Sequence, residues 1–258
     1  MSDPILLRHD SGPIATLTLN IPASLNALST AMLTALDAEL DAIALSPIRV
    51  VILGAAGKNF CAGHDLREIQ SHRADPDQGR AAFTALFALC AQVMQRLTQL
   101  PQPTIASVQG IATAAGCQLA ASCDFVVATE SARFGVNGVN IGLFCSTPLV
   151  ALSRKIPAAQ AFELAATGEF LSATRARDAG LVNRIAVPDD LAAETRRLAE
   201  TLAAKLPSAL AIGKAARADP SLSKAYARAG AAMVANLMQP ETAEGLTAFL
   251  AKRQPNWA

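Results

Sequence analysis

The sequence predicts an α/β fold that ends in a purely helical piece, and three observations carry that prediction. Strand-like and helix-like segments alternate as far as Pro188, and only helix-like segments follow it. Apolar residues make up 52% and charged residues 17%, which excludes intrinsic disorder and supplies a large core. The 258 residues suit one large domain or a domain with an appendage.

The elements follow in order. Residues 14–19 (Ile-Ala-Thr-Leu-Thr-Leu) alternate as a half-buried strand and stop at a turn containing Pro22. Ser29 reads as the N-cap of a helix in which Met32, Leu33, Leu36 and Leu40 recur at helical spacing until Pro47. Arg49 to Leu53 is a short β-branched strand closed by Gly54, and Asp75 to Gly79 is a polar break that reads as a mobile loop. From Arg80 to Leu97 the residues Phe83, Leu86, Phe87, Cys90 and Val93 repeat with helical spacing, and Pro101 and Pro103 end the run. Strands are predicted at 104–108 and 125–128, with a small-residue helix between them that opens near Gly116. Helices at 158–167 and 172–179 and a strand at 181–187 complete the alternating part. Alanine-rich helices at 189–206, 208–218, 221–238 and 241–251 are separated by Pro207, Pro220 and Pro240. Their small side chains suit close helix–helix packing, including packing between subunits.

Composition narrows the function. Twenty-two Lys and Arg against twenty-one Asp and Glu leave a net charge of +1, which removes the electrostatic case for nucleic acid or an anionic membrane as partner. No apolar run approaches the ~20 residues of a membrane-spanning helix. The stretch Met1 to Asp10 lacks the basic and apolar regions of a signal peptide. Five cysteines (61, 90, 117, 123, 145) form no CxxC, and there are three histidines. These counts argue against a metal centre and for a reduced, cytoplasmic protein.

Three segments carry candidate chemistry. In Phe60-Cys61-Ala62-Gly63-His64-Asp65-Leu66, small residues followed by a polar pair let the backbone approach a ligand. The same turn also reads as an ordinary strand-to-helix connection with Asp65 as cap. In Val108 to Leu119 a strand turns into a helix near Gly116, and a helix N-terminus offers free N–H donors to a developing oxyanion. In Phe134 to Pro148 three glycines among apolar residues describe a pocket wall; Cys145 and Ser146 have no histidine near them in sequence, so buried or capping roles lead. The Gly54–Asn59 stretch lacks P-loop spacing and is set aside.

In this order and spacing the segments resemble the crotonase (enoyl-CoA hydratase/isomerase) superfamily over about Ile14 to Arg253. Further markers are Asn20-Ile21-Pro22, Leu25-Asn26-Ala27-Leu28, Cys123-Asp124, Gly142-Leu143, Ala179-Gly180-Leu181-Val182 and Glu244-Gly245-Leu246. The Gly142–Pro148 run and the Pro-Asn-Trp tail look similar to the subgroup called enoyl-CoA hydratase domain-containing protein 3. The resemblance implies an α/β crotonase-like spiral of ββα units with a C-terminal helical trimerisation region. Residues 1–200 would form the core with the acyl-CoA site, and 201–258 a helical region for oligomerisation and CoA contact.

The implied partners are an acyl-CoA thioester and copies of the chain, as a homotrimer or dimer of trimers. Coenzyme A is then part of the substrate, so no separate cofactor and no metal is expected. Carried over by position, the oxyanion hole is formed by the main-chain N–H groups of His64 and Ala115, the latter just before Gly116. Adenine and pantetheine lie against Ala27, Ala62, Asp65 and Leu66, Lys252 faces a CoA phosphate, and Asn140 and Cys145 belong to the acyl pocket. The hydratases' two glutamates fall on Gln118 and Gly138, which cannot exchange a proton, so classical hydratase chemistry is not expected. Three readings remain: a crotonase-type lyase or isomerase, a decarboxylase of malonyl-type thioesters in which His64 carries a proton, and a non-catalytic acyl-CoA-binding protein.

Overall fold

The computed structural model describes residues 4–217 and 219–256. The chain starts with β1 (Leu6–Ser11), β2 (Ile14–Leu19), α1 (Thr30–Ala44) and β3 (Val50–Ala55), then α2 (Leu66–His72) and α3 (Arg80–Gln99). Next come β4 (Thr104–Val108), β5 (Ile111–Thr113), α4 (Ala115–Ser122), β6 (Phe125–Thr129) and β7 (Arg133–Gly135). They are followed by α5 (Ser146–Leu152), α6 (Ala158–Thr167), β8 (Phe170–Ser172), α7 (Ala173–Asp178) and β9 (Arg184–Ala186). The rest is helical: α8 (Leu191–Ala203), α9 (Pro207–Ala216), α10 (Leu222–Leu237) and α11 (Pro240–Leu250).

Two sheets organise the core. The larger has the order β1-β2-β3-β4-β6-β9, parallel from β2 onward, and the smaller the order β5-β7-β8. After β4 the chain alternates between them, β4 then β5 and β6 then β7, so each pass adds one strand to each sheet. This is the spiral the sequence led us to expect. Parallel strands must be covered on both faces. Val51, Leu53, Ala106 and Val126 pack into the main core, whereas Val50, Ile52, Ile105 and Val127, one residue out of phase, pack under α8 through Leu191, Leu198 and Ala199.

Local signals hold where side chains act on nearby backbone. Ser29 caps α1, its hydroxyl accepting from the Met32 N–H at 3.2 Å, and Asp65 caps α2 by accepting from the Arg67 N–H at 2.9 Å. Corrections come where tertiary register decides. The strand expected at 181–187 contracts to β9, because Leu181 and Val182 turn back to donate to the Ala176 carbonyl at 2.8 and 3.2 Å. β1, β5, β7, β8 and α5 were not foreseen; β5, β7 and β8 have three residues each. The division at 200/201 falls inside α8, which is bonded by packing to the large sheet. Positions 218 and 257, at the end of one expected helix and in the Pro-Asn-Trp tail, lie outside the described residues. Among the described residues one helix, α3, is long and apolar enough to cross a membrane by length and composition alone, contrary to the expectation of no such run. Its Phe83, Phe87, Cys90, Val93, Met94 and Leu97 are buried in the protein core.

Candidate active site

Two turns lock together to make the site. One is Cys61-Ala62-Gly63-His64, between β3 and α2; the other is Thr113–Gly116, between β5 and α4. The Cys61 N–H donates to the Ile111 carbonyl at 3.1 Å, and the Thr113 N–H donates back to the Cys61 carbonyl at 3.0 Å. A Cβ on Gly116 would stand 2.2 Å from the Cys61 carbonyl oxygen, and one on Gly63, at φ +96°, would stand 2.8 Å from the Ala114 Cβ and 3.3 Å from the Ala115 nitrogen. Only glycine permits this approach at either position. Asn26, fully buried, braces the first turn from behind: its side-chain oxygen accepts from the Ile21 N–H, and its amide donates to the Ala56 and Asn59 carbonyls, each at 2.9 Å.

The main-chain N–H groups of His64 and Ala115 have no acceptor among the described residues. Ala115 opens α4, where the first N–H groups have no partner within the helix. Both residues line a cavity of about 380 Å³. Its wall is mainly apolar, with Leu66, Ile69, Phe87, Ile141, Leu143 and Met233, and Phe249 joins from α11. The polar lining is Asn59, His64, Thr113, Asn137, Asn140 and Cys145; no carboxylate lines it among the described residues. The Thr113 hydroxyl donates to Asn137 Oδ1 at 2.7 Å, which leaves the Asn137 amide hydrogens for a ligand.

Burial pushes the His64 imidazole down to about 4, so the ring is neutral at pH 7. Its Nδ1 lies 3.2 Å from the Leu28 carbonyl oxygen. A carbonyl only accepts, which assigns the proton to Nδ1 and leaves Nε2 an acceptor, buried and without a partner. His64 in this state cannot donate a proton from Nε2; of its two readings, a proton carrier or a main-chain donor whose ring packs at the pocket rim, the second fits this state. The Cys145 thiol, pushed up to about 11 by burial, stays protonated.

Of the residues singled out in the sequence, Ala62, His64, Leu66, Ala115, Gly138, Asn140 and Cys145 surround the one cavity. Gln118 does not line it: it is fully buried, with neither amide atom in a hydrogen bond of ordinary geometry, beside the Tyr226 phenol. Gly116 lies against Cys61, Ala27 is buried outside the lining, Asp65 is engaged as the α2 cap, and Lys252 is exposed. A Cβ on Gly138 would meet the Leu143 carbonyl oxygen at 2.4 Å and the Cys145 Sγ at 2.8 Å, so no side chain fits there without movement of the backbone. Thr113, Asn59 and Phe249 were not named as site residues, although Thr113 lies in the 108–119 segment singled out in the sequence. Among the described residues no cluster of His, Cys, Asp or Glu is placed to hold a metal.

Ala114 has φ 49° and ψ −124°, a conformation that glycine takes without strain. Relief of about 1–3 kcal/mol of strain outweighs the ~0.4–1 kcal/mol of unfolded-chain entropy that an added glycine brings. Ala114→Gly is therefore expected to stabilise the protein by about 1 kcal/mol. Urea denaturation of the pair measures this, and a less stable variant would contradict the strain argument.

Comparison with known proteins gives the family. The family described as enoyl-CoA hydratase/isomerase matches residues 9–258. The chain is 42% identical over 249 residues to the rat protein named enoyl-CoA hydratase domain-containing protein 3, mitochondrial, covering 95% of this chain and 81% of that one. A solved enoyl-CoA hydratase from Mycobacterium smegmatis is 48% identical, with a TM-score of 0.79 and 99% of both chains covered. The crystal structure of human enoyl-CoA hydratase domain-containing protein 3 is 39% identical, with a TM-score of 0.78, covering 98% of this chain and all of that one. The expectation of a cytoplasmic protein is overturned here, because the rat relative is named mitochondrial. Buried free thiols report a reducing environment without telling one reducing compartment from another.

Proposed function

Because the chain belongs to the enoyl-CoA hydratase/isomerase family, we propose that it binds an acyl-CoA thioester in this cavity and polarises the thioester carbonyl without a carboxylate base. The observation that carries the reading is a pair of unengaged N–H donors, of His64 and Ala115, on an apolar cavity whose lining holds no Asp or Glu. Two such donors, one at the positive end of α4, stabilise negative charge on the thioester oxygen as an enolate forms; comparable donors are each worth roughly 10²–10³ in rate. Ala62 and Leu66 would flank the pantetheine arm, with Ala27 and Asp65 supporting that wall and Lys252 reaching a CoA phosphate. Asn140 and Cys145 would shape the acyl end. A homotrimer or dimer of trimers is the assembly we propose, with the C-terminal helices as its contact region.

Water addition requires a base for the water and an acid for the α-carbon. Neither Gln118, away from the lining, nor Gly138, without room for a side chain, supplies one. A second reading is favoured by the same lack of carboxylates: a malonyl-type thioester carries its own. Breaking its carbon–carboxylate bond releases carbon dioxide and leaves the electron pair on the α-carbon as the enolate, with no base needed. Solvent then returns the proton, since His64 is neutral with Nε2 unprotonated.

Purified protein offered crotonyl-CoA, a 3-enoyl-CoA and methylmalonyl-CoA, with CoA-ester binding followed alongside, tests these readings. Binding without ordinary hydratase turnover is expected, and carbon dioxide release would select the second reading. Gln118→Glu is expected to leave hydration at most a few-fold above wild type. Marked hydration by that variant would overturn the argument that the acid–base pair is missing.

A further inference from the structure

We infer that the ring of Phe87 limits the depth of the acyl pocket and so sets which chain lengths the protein accepts; this rests on the acyl-CoA reading above. Phe87 is 2% exposed on α3, and its ring meets the His64 imidazole edge to face, with centroids 5.4 Å apart and planes at 80°. The residue whose main-chain N–H would hold the thioester carbonyl thus has its side chain in contact with Phe87. Phe87 also lines a second space of about 540 Å³, an open groove between α3 and α10 in which Ala88, Ala227, Ala231 and Ala235 are exposed. Phe87 is the one described residue common to the linings of both cavities.

The groove's floor near Phe87 is apolar, while Arg80, Thr84, Gln95 and Ser223 also belong to its lining. Ala88, Ala91, Ala231 and Val234 line it, and Gly230 faces Phe87, where an added Cβ would lie 3.7 Å from the Phe87 Cβ. On α10 the neighbours Met233 and Val234 serve the site cavity and the second cavity respectively. With the phenyl ring in place, the acyl group stops at the site cavity. Without it, the two spaces become one passage, and the tail of a longer thioester is the occupant the second cavity would take.

Burial of each methylene strengthens binding about fourfold. Affinity of the wild-type protein should therefore rise with acyl length only until the chain reaches Phe87, then level off or fall. Calorimetric titration with butyryl-, octanoyl- and dodecanoyl-CoA reads this for wild type, Phe87→Ala and the milder Phe87→Leu, with circular dichroism as the check on folding. The affinity ratio of dodecanoyl- to butyryl-CoA is expected to rise at least tenfold in Phe87→Ala, and in the same direction but less in Phe87→Leu. Adding Ala231→Phe to Phe87→Ala should bring the ratio back. If Phe87→Ala does not fold, Phe87→Leu decides. A ratio that stays within twofold of wild type in a folded variant, or a wild-type affinity that climbs steadily through dodecanoyl, would overturn the inference. A wild-type protein that binds none of the esters would instead overturn the acyl-CoA reading on which it rests.

Discussion

Gly116→Ala is expected to destabilise the protein by about 3 kcal/mol or more and to weaken CoA-ester binding at least tenfold. The new methyl would be placed 2.2 Å from the Cys61 carbonyl oxygen, 2.7 Å from its carbon and 2.8 Å from the Cys61 Cβ. Two of these obstacles are backbone, so no rotamer change relieves the contact, and the two turns must separate. Their separation breaks the exchange of hydrogen bonds among Cys61, Ile111 and Thr113, and it moves the His64 and Ala115 N–H groups apart. A site that works by two donors converging on one oxygen loses geometry as well as stability. Gly213→Ala is the matched control: Gly213 is exposed in α9 with nothing within 4 Å of an added Cβ, so alanine there should gain about 0.8–1 kcal/mol of helix propensity. Urea denaturation of both variants separates the effects. A Gly116→Ala protein within 1 kcal/mol of wild type would show that the turns are not held by this contact.

That contact also marks how far the sequence could be read. Ser29 and Asp65 were legible as caps because each acts on backbone two or three residues away. The stretch 108–119 was legible as a strand turning into a small-residue helix near Gly116, but the partner of Gly116 at Cys61 was not, since more than fifty residues separate the two and only the register of β5 brings them together. β5, β7 and β8 escaped for the same reason: too short to show a period, they exist because neighbours hold them. Gln118 was identified by position, and its loss of proton chemistry followed from its type. Its withdrawal from the cavity was not legible, for it depends on Tyr226 arriving from α10. Phe87 was legible only as a core residue at helical spacing; its place between two cavities depends on where α10 crosses α3.

His64 gives the second large expected effect, a loss of stability in mild acid. Its folded pKa is depressed from an ordinary 6.5 to about 4 by burial. Between these values the unfolded chain binds a proton that the folded protein refuses, so unfolding is favoured as pH falls. The stability is fully present above about pH 6.5 and is lost on the way down through about pH 4. At 1.36 kcal/mol per unit the total is about 3 kcal/mol, of which about 2 kcal/mol goes between pH 7 and 5. The upper part of the window is the informative one, because the ion-paired carboxylates remain charged there; Glu244, held down to about 2 by Arg253, is an example. Chemical denaturation at pH 7 and pH 5 should show this drop in wild type and a flatter response in His64→Asn, whose amide nitrogen takes the place of Nδ1 and can still donate to the Leu28 carbonyl. Equal drops in the two proteins would mean that the imidazole is hydrated and titrates normally. The assignment of Nε2 as a buried, unpartnered acceptor would then fall, because a hydrated ring at its ordinary pKa would share its proton with solvent and could again serve as the acid that the cavity otherwise lacks.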